Sequence, residues 1–371
     1  MGRKLDRLTI HGFKSIKTID NLSLGSINVL IGANGAGKSN FVEFFKMLRE
    51  IVEQRLQAYV SENAPSDGFF YNGVSYTKTI EAKLEFGVNG YNFKLKPTSD
   101  GSVVLAAENT HYDGDYGRRV LHLIATASRE SKLKDHRNDV GITAQKGPNW
   151  YVWNSLSDWH VYHFHDTSVT AGMRRDSGVE QGDRLDSNGE NLAAFLYAMR
   201  ENNADIYQII RKTVQRIAPY FDDFAIKPRK GKHEARVRLM WKQRGKDYVF
   251  SPSHLSDGTI RFICLATALL QPDPPATMVV DEPELGLHPE ALAILAGLFR
   301  SASARMQIII ATQSPVLLSE FDVADVITVD QVDGSSRFQR LDSNALRVWL
   351  RDYSLGELWL KGNVRGGVND A

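Results

Sequence analysis

Four residues within eight positions carry the first chemical signal. Gly32, Gly37, Lys38 and Ser39 keep the spacing Gly-x4-Gly-Lys-Ser, directly after the apolar run Ile27–Ile31. That spacing is a phosphate-binding loop. Without a β-carbon, the glycines let backbone N–H groups turn inward around a phosphate. The helix expected next, from about Lys38 to Val60, aims its positive end at the same anion. Lys38 then reaches the β- and γ-phosphates, and the Ser39 hydroxyl ligates a magnesium ion. Asn34, Gly35 and Asn40 complete the expected nucleotide contacts.

A second group lies far downstream. The run "ATMVVDEPELGLHP" (276–289) is an apolar strand ending in two carboxylates. In parallel α/β sheets that end of a strand is where ligands bind. Asp281 suits a direct or water-mediated hold on magnesium, and Glu282 suits activation of an attacking water. A strand leaving into an acidic turn would look the same in isolation. The third group is "HLSDGTIRF" (254–262), in which Ser256 also fits an ordinary helix N-cap. The order of the three groups carries the argument.

These groups need a sheet with helices around it. The chain has 371 residues, enough for a large domain and a smaller one, and 42% of them are hydrophobic. The net charge of +1 announces no nucleic-acid partner, so any basic surface must be local. The single cysteine, Cys264, excludes an internal disulfide and fits a reducing compartment. The start, "MGRKLDRLTIHGF", shows no apolar secretory segment, and the longest apolar run, Phe262 to Leu270, is about half a membrane span. A cytoplasmic protein without membrane contact is expected.

In this order the motifs resemble an ABC-type ATPase head of the RecF, SMC and OLD group. The resemblance implies an α/β P-loop NTPase fold, with ATP and Mg2+ as cofactors. In that group a Leu-Ser-x-Gly signature opens a helix shortly before the acidic pair; here Ser256 stands 25 positions before Asp281. The family implies that Ser256 and Gly258 act in trans, capping the γ-phosphate on another subunit's P-loop. Leu255-Ser256-Asp257-Gly258-Thr259 departs from the transporter form Leu-Ser-Gly-Gly-Gln and favours RecF-like and OLD-like heads. "ELGLHPEAL" resembles the D-loop, with Glu284, Leu287 and His288 at the dimer interface. "QIIIATQSP" (307–315) resembles the switch segment, with Gln313 where the family often has histidine. Gln313 can hydrogen-bond a γ-phosphate but cannot carry a proton or charge, which leaves the hydrolysis rate open. "LTIHGFKSIK" resembles the first strand pair and places Lys14 or Lys17 either near the nucleotide or on a strand surface.

The glutamine loop is not evident; Gln145 is a candidate by type only. "VYHFHDTS" brings His165 and Asp166 to roughly that place in the order of elements. His160, His163 and His165 also raise a metal site, although only His163 and His165 share a strand face. The head is expected over 1–95 and 245–345, interrupted by a compact insertion over 96–244 and followed by a tail over 346–371. Within the insertion, "WNSLSDWHVYHFHDT" reads as strand, and 188–202 and 204–221 read as helices. The layout, including "NLAAFLYAMR", resembles compact AAA-type ATPases found beside bacterial defence genes.

Residues 227–246 hold nine Lys or Arg and one acid. Lys227 to Lys246 read as a β-hairpin with Arg236 and Arg238 on one face and Val237 and Leu239 on the other. It is either a phosphate-backbone surface or a solvated face. The run 128–139 reads as a charged helix or loop surface. About sixty residues follow Pro315, too few for the Toprim nuclease domain of OLD proteins. The expected function is therefore an ATP-hydrolysing head, a homo-dimer or higher homo-oligomer. It would act as sensor or regulator of a separate effector protein, a nuclease or toxin. The alternative is a RecF-like repair ATPase that binds DNA. A transporter ATPase would need a membrane partner, and Ser-Asp-Gly fits it poorly.

Overall fold

Five wholly buried residues, Ile27–Ile31, form the strand that ends in the glycine-rich loop. In the computed structural model, which describes every residue except Met1, Ala64, 115–118, 140–145, 231–233 and 365–371, two compact units form. The first comprises Met1–Val161, Pro275–Val279 and Met306–Ala371; the second comprises Tyr162–Pro274 and Val280–Arg305.

The first unit is built on two six-stranded sheets. One is antiparallel and uses β1 (Arg7–Phe13), β2 (Ile16–Ser23), β4 (Ile80–Phe86), β5 (Asn89–Pro97), β6 (Val103–Asp113) and β7 (Arg119–Ala125), in the order β2-β1-β4-β5-β6-β7. The other uses β3 (Ile27–Ile31), β8 (Trp159–Tyr162), β15 (Thr277–Asp281), β16 (Gln307–Thr312), β17 (Val326–Val332) and β18 (Ser335–Arg340). Its order is β18-β17-β3-β16-β15-β8. Strands β16 and β17 pair parallel to β3 on either side. Both β3 and β16 are buried along their whole length, as strands covered on two faces must be, so they read as continuous apolar runs.

Helix α1 (Lys38–Val52) follows the glycine loop and buries most of its surface in one core with residues of both sheets. Its phenylalanines do the joining. Phe44 packs edge-on to Phe13 of β1 and stacks near Phe93 of β5. Phe41 meets Phe338 of β18, and Phe45 meets Trp159 of β8. The helix stops at Val52, short of the Val60 expected from its pattern. Gln54 takes a left-handed conformation (φ 60°), and the chain restarts as α2 (Leu56–Glu62). Glu130 caps that second helix, accepting from the Leu56 and Gln57 N–H groups at 2.9 and 3.0 Å. The run 128–139 is thus a set of turns with a capping role.

Short helices α3 (Gly73–Tyr76), α9 (Pro315–Leu318), α10 (Ser343–Leu346) and α11 (Leu355–Leu360) complete the first unit with α4 (Pro148–Leu156). Helix α4 corrects the strand expected over "WNSLSDWHVYHFHDT". Pro148 at its first position pre-sets the helical φ, and only Trp159–Tyr162 remain strand. The boundary expected at residue 95 falls inside β5, whose partner β6 continues the same sheet.

The second unit is centred on α7 (Asp257–Leu270), buried at every position from Thr259 to Leu269. A helix apolar all round must be covered on all sides. Helices α5 (Leu192–Asn202), α6 (Ala204–Ile217) and α8 (Pro289–Ala302) belong to the same unit, and α6 and α8 both pack on α7. Cys264 lies in this core, and burial pushes its thiol pKa well up. We expect no labelling of the native chain by a maleimide at neutral pH and full labelling in denaturant; mass spectrometry distinguishes the two.

The basic run is not one hairpin. Strand β12 (Ala235–Val237) pairs with β11 (Arg229–Lys230) on one side and β9 (Ser177–Gly178) on the other. Strand β13 (Trp241–Gln243) joins β10 (Phe221–Phe224) and β14 (Val249–Phe250) in a separate sheet. The expected alternation holds: Arg236 and Arg238 are exposed, Val237 and Leu239 buried. Among the described residues no helix is long and apolar enough to cross a membrane.

Candidate nucleotide-binding site

The glycine loop has a defined shape in the first unit. Gly37 caps α1 with φ 110°, a conformation closed to most side chains, and a β-carbon there would strike the Ser15 and Ser336 hydroxyls. A β-carbon on Gly32 would strike the Val329 carbonyl of β17. The loop is therefore pressed against β17 and β18, and both glycines are required by contact. Lys38 is only 5% exposed. Its ammonium donates to the Gly32 and Ala33 carbonyls at 2.7 and 3.1 Å, holding the cation inside the loop's curve. Asn34, Gly35 and Ser39 are exposed, and Asn40 donates to the Ser15 hydroxyl at 2.7 Å. No acidic residue occupies the first turn of α1, so its positive end is uncompensated there by charge.

The switch segment lies beside this loop. In the β16–β3 ladder Thr312 is in register with Ile31, so Gln313 leaves its strand at the level where the glycine loop begins. Gln313 is half-buried. The turn behind it is fixed locally: Ser314 N donates to the Thr312 hydroxyl at 3.0 Å, and the Ser314 hydroxyl caps α9. Of the two lysines considered, Lys14 forms an ion pair with Glu43 of α1 at 2.6 Å, and Lys17 is exposed on β2. Ser15, between them, is the residue that touches Asn40 and Ser336.

The acidic pair and the signature belong to the second unit. Asp281 ends β15. Glu282 follows in the left-handed region (φ 46°) and opens a turn closed by Leu285 N on its carbonyl at 3.3 Å. A glutamate in that region costs about 1 kcal/mol, a kind of backbone strain that concentrates at functional positions. The D-loop continues with Gly286 at φ 72°, and His288 caps α8. Ser256 is exposed at the N-cap of α7, its hydroxyl accepting from Thr259 N at 3.1 Å. A β-carbon on Gly258 would strike the Gly286 carbonyl, so the signature and the D-loop touch through their two glycines.

His165 hydrogen-bonds the Asp281 carbonyl through Nε2 at 3.0 Å. Asp166 turns away to Ser168, whose hydrogen bonds hold its carboxyl below the usual range. The three histidines expected as a possible metal site do not converge into a ligand group among the described residues. Gln145 lies outside those residues.

Two arginines that the sequence reading missed hold the second unit's motifs in place. Arg174 is 5% exposed and donates to the carbonyls of Thr167, Pro252 and Leu255 and to the Asp257 carboxylate. Arg261 donates to the carbonyls of Phe164, His165 and Leu285, and burial lowers its pKa. It thus ties α7 to the segment before Asp166 and to the D-loop. The available signal was a charge inside the apolar run "TIRFICLAT", which has to find partners. For Arg174→Ala we expect a loss of about 3 kcal/mol, mostly from the Thr167 and Leu255 carbonyls losing their donor, since Pro252 O keeps the Leu255 N–H and Asp257 is itself solvent-screened. Arg174→Lys should recover less than half of it, lacking the fork. Chemical denaturation of the three proteins measures both.

Among solved structures the chain is similar to an SMC head bound to the C-winged helix domain of ScpA. The two share 17% identity with a TM-score of 0.58, covering 92% of this chain and 99% of that one. It is also similar to an Smc head domain with an extended coiled coil bound to the C-terminal domain of ScpA, from Pyrococcus furiosus. There the identity is 17% and the TM-score 0.53, over 94% and 98% of the two chains. At that identity the likeness shows the fold, the P-loop NTPase fold of ABC-type ATPase heads. No curated protein sequence matches the chain. A family model described as "AAA domain, putative AbiEii toxin, Type IV TA system" matches residues 27–319. With β3, the glycine loop, the signature, the acidic pair and the switch segment all inside that match, the chain belongs to this AAA-domain family.

Proposed function

We propose that the chain is an ATPase head that assembles through nucleotide sandwiched between subunits and regulates a separate effector in a bacterial defence system. The observation that carries this reading is the pairing of a loop that encloses a lysine ammonium with a serine-capped helix start open to solvent. Lys38 and the loop N–H groups bind the β- and γ-phosphates. Ser39 and Asp281, both oxygen donors, suit magnesium, which would neutralise phosphate charge. Glu282 accepts a proton from the attacking water, and Gln313 orients that water or the γ-phosphate. Ser256 and Gly258 of a second copy close over the γ-phosphate. ATP binding joins the subunits and hydrolysis releases them. The family description, "putative AbiEii toxin, Type IV TA system", supports a toxin–antitoxin setting for this head.

Mixing two inactive variants tests the sandwich. A Lys38→Ala chain keeps Ser256, and a Ser256→Arg chain keeps its P-loop. A 1:1 mixture should recover up to about a quarter of wild-type turnover, since half the dimers are mixed and each has one intact site. No recovery would show that Ser256 does not act across an interface.

A RecF-like, DNA-binding role is the second reading, supported by the exposed Lys227, Arg229, Lys230 and Arg236 in the second unit. It requires duplex DNA to stimulate hydrolysis in a salt-dependent way.

A further inference from the structure

We propose that Glu85, His111 and Asp113 form a site for a divalent transition metal, best suited to zinc, in the antiparallel sheet of the first unit. The site shares no residue with the nucleotide motifs and does not depend on the ATPase reading.

The sheet register builds it. Glu85 of β4 stands opposite Gly90 of β5, and Gly90 stands opposite His111 of β6. The middle position has no side chain, and a β-carbon there would fall on the His111 ring. Glu85 and His111 therefore meet across the middle strand, with Oε2 and Nε2 2.8 Å apart. Asp113, two residues along β6, points from the same face. One ligand atom from each residue lies within 4.8 Å of the other two. An ion among them would draw the three side chains in to its own bond lengths of about 2.0–2.2 Å, leaving a fourth position for water. One imidazole nitrogen with two carboxylate oxygens suits zinc better than magnesium, which prefers oxygen alone.

The side chain behind His111 is compatible with the tautomer a metal would need. His111 is fully buried, and its other nitrogen, Nδ1, faces the Asn92 amide at 3.2 Å. The Oδ1 of Asn92 is buried without a hydrogen-bond partner. Turning that amide by half a revolution brings Oδ1 to the ring, where it accepts from an Nδ1–H. That tautomer puts the lone pair on Nε2, aimed at the two carboxylates. It is the arrangement by which a metal-bound histidine is held from behind. The competing account is a plain hydrogen bond between His111 and Glu85 with no metal.

The test uses the full chain, stripped of metal by a chelator and free of nucleotide. Zinc is titrated against a chromophoric chelator, and cobalt(II) is bound in parallel to record its visible absorption. We expect one zinc per chain at micromolar affinity or tighter and a cobalt band of a four- or five-coordinate N/O site. Zinc should also raise Tm. Asp113→Asn and Glu85→Gln should each weaken binding at least about 10-fold, and Asn92→Ala by about 10-fold. Circular dichroism establishes that the variants are folded. The half-exposed Asp113 makes its variant the decisive one if His111→Gln fails to fold. Zinc binding absent from the wild type, or unchanged in folded Asp113→Asn and Glu85→Gln, would overturn the site and leave the hydrogen bond.

Discussion

On the proposed reading, Lys38→Ala should weaken ATP binding by about 100-fold or more and abolish turnover. The ammonium is a buried cation whose geometry is set by two carbonyls of its own loop, so it is oriented before any phosphate arrives. Charge-assisted hydrogen bonds contribute about 1.5–3 kcal/mol each, and two of them to phosphate oxygens already amount to that factor. The same substitution takes the ammonium away from the Gly32 and Ala33 carbonyls, the second of which keeps only the Ala36 N–H at 3.2 Å, so the loop also loses a contact that shapes it. Lys38→Arg should rescue poorly, because a planar guanidinium needs more room than a 5%-exposed site offers. Fluorescent-nucleotide titration separates binding from catalysis in both variants.

If Glu282 is the proposed base, Glu282→Gln should slow hydrolysis by about 100- to 10,000-fold, the range of a lost general base, while ATP affinity stays near the wild-type value. Glutamine keeps the size of the side chain and meets the same left-handed backbone at φ 46°, so the turn into the D-loop survives. What it loses is the ability to accept a proton. Single-turnover phosphate release set beside equilibrium nucleotide binding checks both halves of the prediction. A variant that hydrolyses ATP at the wild-type rate would remove Glu282 from the mechanism.

The glycine loop was legible in the sequence because its chemistry is local: eight positions hold the strand exit, the turn and the helix start. The buried strands β3 and β16 were legible as apolar runs for a similar reason. The early stop of α1 was not. No glycine or proline marks Gln54, and the acid that caps the next helix, Glu130, lies more than seventy positions downstream. The tryptophan-rich stretch before β8 suggested strand by composition, yet Pro148 starts a helix there. The basic run alternates as expected, but its ladder partner, Ser177–Gly178, could not be inferred from the run itself. Arg174 and the row Glu85–Gly90–His111 depend on contacts between distant strands and loops, which spacing along one chain does not record. The signature and the acidic pair drew their weight from order, and the contact of the signature with the D-loop through Gly258 and Gly286 emerged only in the structure.

In the proposed mechanism, nucleotide itself holds two subunits together. Light scattering of Glu282→Gln with and without ATP and magnesium tests it most directly, since slow hydrolysis traps whatever state ATP creates. We expect monomer mass without nucleotide, twice that mass with ATP, and no change for Lys38→Ala under the same conditions. A mass that does not respond to ATP, or an assembly that Lys38→Ala forms equally well, would contradict it.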